Sequence, residues 1–352
     1  MATLGLKIIL MDIKESTLER VQRLMDKYAL IGQDIDSYLD GLIYANTLKY
    51  WDYIEVDTLL SLQKPKTDFP DEKIFIVYHQ ITELYFSLIS HEIEQICKNG
   101  KNITDEGQDL GWNEKLDVEF FIARLKRINK YFEALTRSFD IMRFGMEKEQ
   151  FTKFRMSLLS ASGFQTASYR YIEIASTDLK NLVHESMREE LWNSDYHTQL
   201  DNIYWRRGAV VEESGEKTLT LRDFEDKYLE AFHDFADVYQ PMNLWKKYKA
   251  LPEEDQKNPL LIQRLRELDI NVNVNWPLVH FRTAVHYIGL KHGDSKGTGG
   301  TNWEKYLPPY FQRRIFYPEL WSEQEKQEWG KLWVEEVLAE GLVTEEKLKD
   351  EI

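Results

Sequence analysis

The 352-residue sequence contains a single cysteine, Cys97, so no disulfide can form within the chain and neither a thiolate metal cluster nor a doubly attached c-type haem is tenable. Positive charge is also in deficit. Against 60 Asp and Glu stand 45 Lys and Arg, a formal net charge of -15 that argues against a nucleic-acid partner, because phosphate backbones are bound by basic patches. Long hydrophobic runs are missing as well. The stretch Leu4 to Met11 is short, interrupted by Lys7 and followed at once by Asp12, which suits neither a signal peptide nor a membrane span. The expectation is a cytoplasmic chain with no membrane partner. No repeat, low-complexity tract or Ser/Gly linker divides the sequence, and the polar stretch Lys98 to Glu114 reads as a surface loop, so residues 1–352 are expected to form one domain.

What the chain does have is apolar and aromatic content, 43% and 13%, enough for a large buried core. Its periodicity is helical. Phe121, Leu125, Ile128, Phe132, Leu135 and Phe139 recur alternately four and three apart, the spacing of one packed helix face. A second helix is expected from Pro70-Asp71-Glu72 to about Ile96, with proline and carboxylates suited to its first turn. Thr220 and Asp223 precede Phe224, Tyr228, Phe232 and Phe235, and the capping-box pair Ser322 and Glu325 precedes Trp329 and Trp333. The fold class is therefore all-α, a single large domain of long helices. Residues 209–221, with Gly215 between two short apolar runs, read as a small β-hairpin excursion.

On the helix that starts near Pro70, Ile74, Tyr78, Ile81, Tyr85 and Leu88 form one apolar stripe, and Phe75, Thr82 and Phe86 form another, with His79 beside the second. His79 thus faces apolar surroundings, which by spacing alone suits an ordinary hydrogen-bonded core histidine. Gly297-Thr298-Gly299-Gly300 lacks the Gly-Lys-Ser/Thr ending of a nucleotide-binding loop. His91-Glu92 lacks the second histidine of a zinc helix, and no two-histidine, one-carboxylate set stands out.

Six motifs, Tyr50-Trp51-Asp52-Tyr53, Phe75-x-x-x-His79-Gln80, Phe151-x-x-x-Arg155, Ser162-Gly163-Phe164-Gln165, Trp276-x-x-x-His280 and Gly297-Thr298-Gly299-Gly300, occur in the order and mostly the spacing of one family. Over roughly residues 49–321 the chain resembles the haem-dependent tryptophan 2,3-dioxygenases. The resemblance implies a non-covalently held haem b and dioxygen insertion across the indole C2–C3 bond of L-tryptophan, or a close analogue, to give N-formylkynurenine. It implies His280 as the axial iron ligand, since placing Trp276 on the family's tryptophan also aligns Gly289, and leaves His286 as a packing residue. His79 is then the catalytic group on the oxygen-binding side, able to hydrogen-bond the indole N–H, with Phe75 packed on the ring.

By the same resemblance Arg155 takes the substrate carboxylate, a pairing for which guanidinium geometry is well suited, while Phe151 and Leu158 line the ring pocket. Thr298 contacts the ammonium and carboxylate from a closing loop. Ser162 and Gly163 lie at the haem edge, and Arg170 either pairs with a haem propionate or is structural. Tyr50 and Tyr53 match two tyrosines of which the first enters a neighbouring subunit's site, implying a homo-oligomer, a tetramer in the family. Departures flank the lid: the family's Leu-Ser-Pro-Ala-Ser-Gly-Phe-Gln lacks its proline at Leu158 to Gln165, and Thr301 to Leu307 replace the usual residues after the glycines. They leave room for an alternative, a haem oxygenase or hydroxylase of the same superfamily acting on a substituted tryptophan or a tyrosine derivative.

Overall fold

A computed structural model describes residues 14–44, 49–105, 107–158, 161–210, 215–288 and 313–331. The chain divides into two compact units, Met1–Leu62 and Gln63–Ile352. In the first, α1 (Glu15–Leu30), α2 (Ile35–Tyr44), α3 (Tyr50–Tyr53) and α4 (Val56–Ser61) follow one another. The Tyr28 and Tyr38 rings, 4.5 Å apart, join α1 to α2. Yet α1, α3 and α4 bury no residue, and Leu30, Leu42, Ile43 and Leu60 stand exposed.

The second unit is built on α5 (Asp71–Cys97) and α6 (Val118–Ser138), which pack along each other. Asp117 caps α6 by accepting from the Phe120 N–H at 2.8 Å, and the expected stripe Phe121, Leu125, Ile128, Phe132 and Leu135 is fully buried. On α5 the buried face runs through Tyr78, Thr82, Phe86, Ile89, Ile93 and Ile96, while Leu88 of the other predicted stripe is exposed. Then come α7 (Asp140–Phe144), α8 (Lys148–Phe154), α9 (Ala167–Ser176), α10 (Tyr196–Asp201), α11 (Tyr204–Gly208), α12 (Leu219–Tyr239), α13 (Leu244–Ala250), α14 (Glu253–Gln256), α15 (Pro259–Ile270), α16 (Trp276–Ile288) and α17 (Glu323–Gln327). The all-α reading stands. Among the described residues no helix is long and apolar enough to cross a membrane.

The β-structure is where the expectation needs correction. An antiparallel pair, β1 (Lys101–Ile103) and β2 (Asp109–Trp112), occupies the stretch read as a plain loop. Its strands are largely exposed and carry no apolar alternation, so periodicity could not reveal them. Backbone geometry and charge make the turn instead: Gly107 sits at φ 80° and its N–H donates to the Thr104 carbonyl at 2.9 Å, while Lys101 pairs with Asp109 across the strands at 2.6 Å. At 209–221 the described residues show only the bridge Val210↔Lys217. The second expected strand is helix, because Thr218 caps α12 by accepting from Leu221 and the helical spacing buries Leu221, Phe224 and Phe232 together.

Helices α15 and α16 are joined without a break by a π-helical turn, Asn271–Asn275. Neighbours hold it: the Tyr169 hydroxyl donates to the Val272 carbonyl at 2.9 Å, and Asn271 bonds Asn129 of α6 at 3.1 Å. Just before it, the buried Asp269 carboxylate accepts from the Phe316 and Tyr317 backbone N–H groups, the Trp321 indole and the Asn273 amide. The Ser322–Glu325 capping box forms as expected and opens α17, with Trp329 packed on Trp321; Trp333 lies outside the described residues.

Burial pushes the Asp269 carboxyl from the ordinary 3.8 up to about 6, against four donors that favour its anion. A raised folded-state value means that this group's contribution to stability is full below 3.8 and is lost as pH rises through about 6. Unfolding free energies from urea denaturation across that range should decline in the parent and lose that component in Asp269→Asn. Parallel curves for the two proteins would refute the assignment.

Candidate active site

His79 lies on α5 and His280 on α16, and helix geometry treats them alike. Each ring nitrogen Nδ1 meets the carbonyl four residues earlier, Phe75 O at 2.7 Å and Trp276 O at 2.8 Å. A carbonyl only accepts, so each Nδ1 carries the proton and each Nε2 keeps its lone pair free to bind elsewhere. Burial lowers both imidazole pKa values, that of His280 to about 4, and the nearby His79 adds to the shift. Both rings are neutral at pH 7. Each is set deep in the protein yet keeps part of its surface accessible, as side chains lining a recess do.

Aromatic rings build the walls. Phe75 lies 4.1 Å from His79, while Trp276 and Phe139 meet His280 edge-on at 4.4 and 4.5 Å. Tyr78 touches both His79 and Phe139, at 6.0 and 5.4 Å, and so connects the two histidine surroundings. From Phe75 the wall continues to Phe151 and Phe154 of α8, at 6.2 and 5.8 Å. Arg155 follows directly: its N–H still bonds Phe151 O, which keeps the two side chains on one face as their spacing predicts. It opens a 3₁₀ turn, Arg155–Leu158, in which Leu158 packs against the core.

Ser162 to Gln165 form a capped 3₁₀ turn, with Ser162 and Gln165 satisfying each other's backbone and Gln165 reaching Thr220 O at 3.3 Å. Among the described residues a Cβ on Gly163 would meet no atom within 4 Å, so they leave this face of the turn open to a ligand edge. Beside it the Thr166 hydroxyl donates to Glu83 of α5 at 2.6 Å, tying the turn to the His79 helix. These residues suit a haem: one neutral imidazole with a free Nε2, a second imidazole near it, and apolar walls. His286 is elsewhere, edge-on to Phe144 at 5.9 Å, as a packing residue would be.

The family model for tryptophan 2,3-dioxygenase matches residues 42–249. The chain belongs to the tryptophan 2,3-dioxygenase family. The tryptophan 2,3-dioxygenase of Bacillus thuringiensis subsp. konkukian is 30% identical over 298 residues, covering 80% of this chain and 94% of that protein. Those of Bacillus anthracis and a Ruegeria species are 29% and 27% identical, over 80% and 79% of the chain. The matched model ends before His280, so its candidacy as ligand within this tryptophan 2,3-dioxygenase family member rests on the geometry above.

The structure joins His79, Phe75 and Phe151 by ring contacts, places Arg155 one helical turn after Phe151 and Leu158 against the core, and sets His280 near His79. Tyr50 and Tyr53 belong to the first unit, both strongly exposed. Thr298, with the whole glycine loop, lies outside the described residues. Arg170 is buried and engaged: Nη1 bonds Glu173 at 2.9 Å and the Tyr204 hydroxyl at 2.7 Å, and Nη2 reaches the Phe164 carbonyl at 3.5 Å. Of the two roles open to Arg170, this geometry favours the structural one.

Arg314, absent from the sequence reading, completes that cluster by bonding Glu173 at 2.5 Å and Tyr204. No local pattern marks it, since 141 residues separate it from Glu173. Two buried guanidinium groups thus share one buried carboxylate, and removing one partner of a buried ion pair costs about 3–5 kcal/mol. Glu173→Ala should lower the unfolding free energy by about that amount in urea denaturation. A loss below about 1 kcal/mol, the range of exposed pairs, would show that the arginines have another counter-charge.

Proposed function

We propose that the chain is a haem-dependent dioxygenase that cleaves the indole C2–C3 bond of L-tryptophan by inserting dioxygen, yielding N-formylkynurenine. The observation that carries the reading is the pair of deep-set, partly accessible, neutral imidazoles on α5 and α16, with an aromatic wall leading from one of them to Arg155. His280, through its free Nε2, would hold a b-type haem. When bound, the haem supplies the oxygen chemistry.

The chain's own groups place the substrate. Phe75, Phe151 and Leu158 enclose the indole ring, and apolar walls keep water from it. His79, neutral because burial lowers its pKa, accepts the indole N–H at Nε2. Arg155 pairs with the carboxylate, while Thr298 meets the ammonium and carboxylate. Ser162 and Gly163 line the haem edge, and Arg170 supports their turn through the Phe164 carbonyl. Strongly exposed Tyr50 and Tyr53 suit residues completed by a neighbouring subunit, in a cytoplasmic homo-oligomer, a tetramer.

The test is absorption spectroscopy of the purified, haem-supplemented protein, reduced without oxygen, mixed with L-tryptophan and then exposed to oxygen while N-formylkynurenine is followed. Haem bands with product are expected. Without His280, as in His280→Ala, haem is lost; His79→Ala keeps the haem and alters turnover. Arg155→Ala should raise KM for tryptophan about tenfold or more, given roughly 1.5–3 kcal/mol for a charge-assisted hydrogen bond. Haem bands with turnover only of a substituted tryptophan or a tyrosine derivative would favour the altered-lid alternative, and failure to bind haem would overturn both.

A further inference from the structure

Helix α8, which carries Phe151 and leads into Arg155, is short and cannot fix its own position. Its N-terminal corner, residues 142–147, is anchored from two directions. From α5, Asp71 accepts from the Glu147 N–H at 2.6 Å, and the Asp71 N–H donates to Gln150 at 3.3 Å. From α16, the Tyr287 hydroxyl donates to the Met142 carbonyl at 2.5 Å and lies 3.4 Å from that of Met146. The corner is therefore hydrogen-bonded to each of the two helices that carry the candidate histidines, donating to α5 and accepting from α16.

Tyr287 also meets the substrate wall itself. Its ring lies 4.3 Å from that of Phe151, which in turn faces Phe75. The side chain is 5% exposed, and burial pushes its hydroxyl up to about 12, so it remains a donor through the neutral range. It is two helical turns beyond His280 on α16, hence on nearly the same face. A single side chain thus spans from the His280 helix to the Phe151 wall.

Resting on the function proposed above, we infer that Tyr287 is a positioning and specificity-determining residue: its hydroxyl fixes the α7–α8 corner, and its ring backs Phe151, setting how closely the pocket fits an indole. The two parts of the side chain separate experimentally. Tyr287→Phe removes only the hydroxyl, and Tyr287→Leu removes the ring as well.

In the haem-loaded full chain, Tyr287→Phe should keep the parent's haem content and Soret band, yet raise KM for L-tryptophan about threefold to tenfold, the scale of one buried neutral hydrogen bond, with a smaller fall in kcat. Tyr287→Leu should loosen the wall behind Phe151, raising the kcat/KM ratio of ring-methylated tryptophan to L-tryptophan above the parent's. A residue that served stability alone would depress both substrates equally and leave that ratio fixed. If the parent responds to L-tryptophan and both variants match its KM and its substrate ratio, the role of Tyr287 is overturned while the proposed function stands. If the parent binds haem but neither its spectrum nor its turnover responds to L-tryptophan, the proposed function falls, and this inference with it.

Discussion

The site depends on one repeated local interaction, an imidazole Nδ1–H held by the carbonyl one helical turn before it. On α5 and on α16 this bond fixes which nitrogen carries the proton and directs the other away from the helix. Burial then removes the charge from both rings, since an imidazolium set among Phe75, Phe139 and Trp276 would lose its hydration with little in exchange. A neutral, oriented nitrogen is what metal ligation and indole recognition both require. The aromatic lining is thus part of the chemistry as well as of the packing.

Those two helices are held by an interior that is more polar than its composition suggests. Asp269 gathers four N–H donors at the end of α15, and the π-helical turn beyond it is pinned by Tyr169 and Asn129 before α16 begins. Glu173 and Tyr204 gather Arg170 and Arg314 behind the Ser162–Gln165 turn. Each cluster draws together segments far apart in sequence, and each is buried, where directional bonds are strengthened by the low dielectric. Apolar contacts fill the core, and these polar knots set the register of the elements that carry the site.

Much of this was legible in advance. The α6 stripe and the cap at Ser322 follow from local rules, because helical periodicity and capping involve residues at most a few positions apart. On α5, pattern alone offered two stripes without ranking them, and the fold buries Tyr78, Thr82 and Phe86 while leaving Leu88 in the open. The β-structure was legible only in part: Val210 and Lys217 pair as an antiparallel bridge, but Leu219 to Leu221 had strand-like composition and a threonine cap that committed them to helix, and the exposed strands β1 and β2 carry no apolar pattern. Arg170 was visible as a basic residue after the turn, but its partner Arg314 was not.

By itself, then, the sequence determined the helical class through short-range spacing, and the order of its motifs carried the resemblance that singled out the candidate histidines. Only the tertiary structure decided that His79 and His280 share a neighbourhood, that Arg170 is engaged by Glu173, and that Tyr287 stands behind Phe151. Those are contacts between helices, set by how several amphipathic faces pack simultaneously, and no local pattern encodes which residues will meet across such an interface.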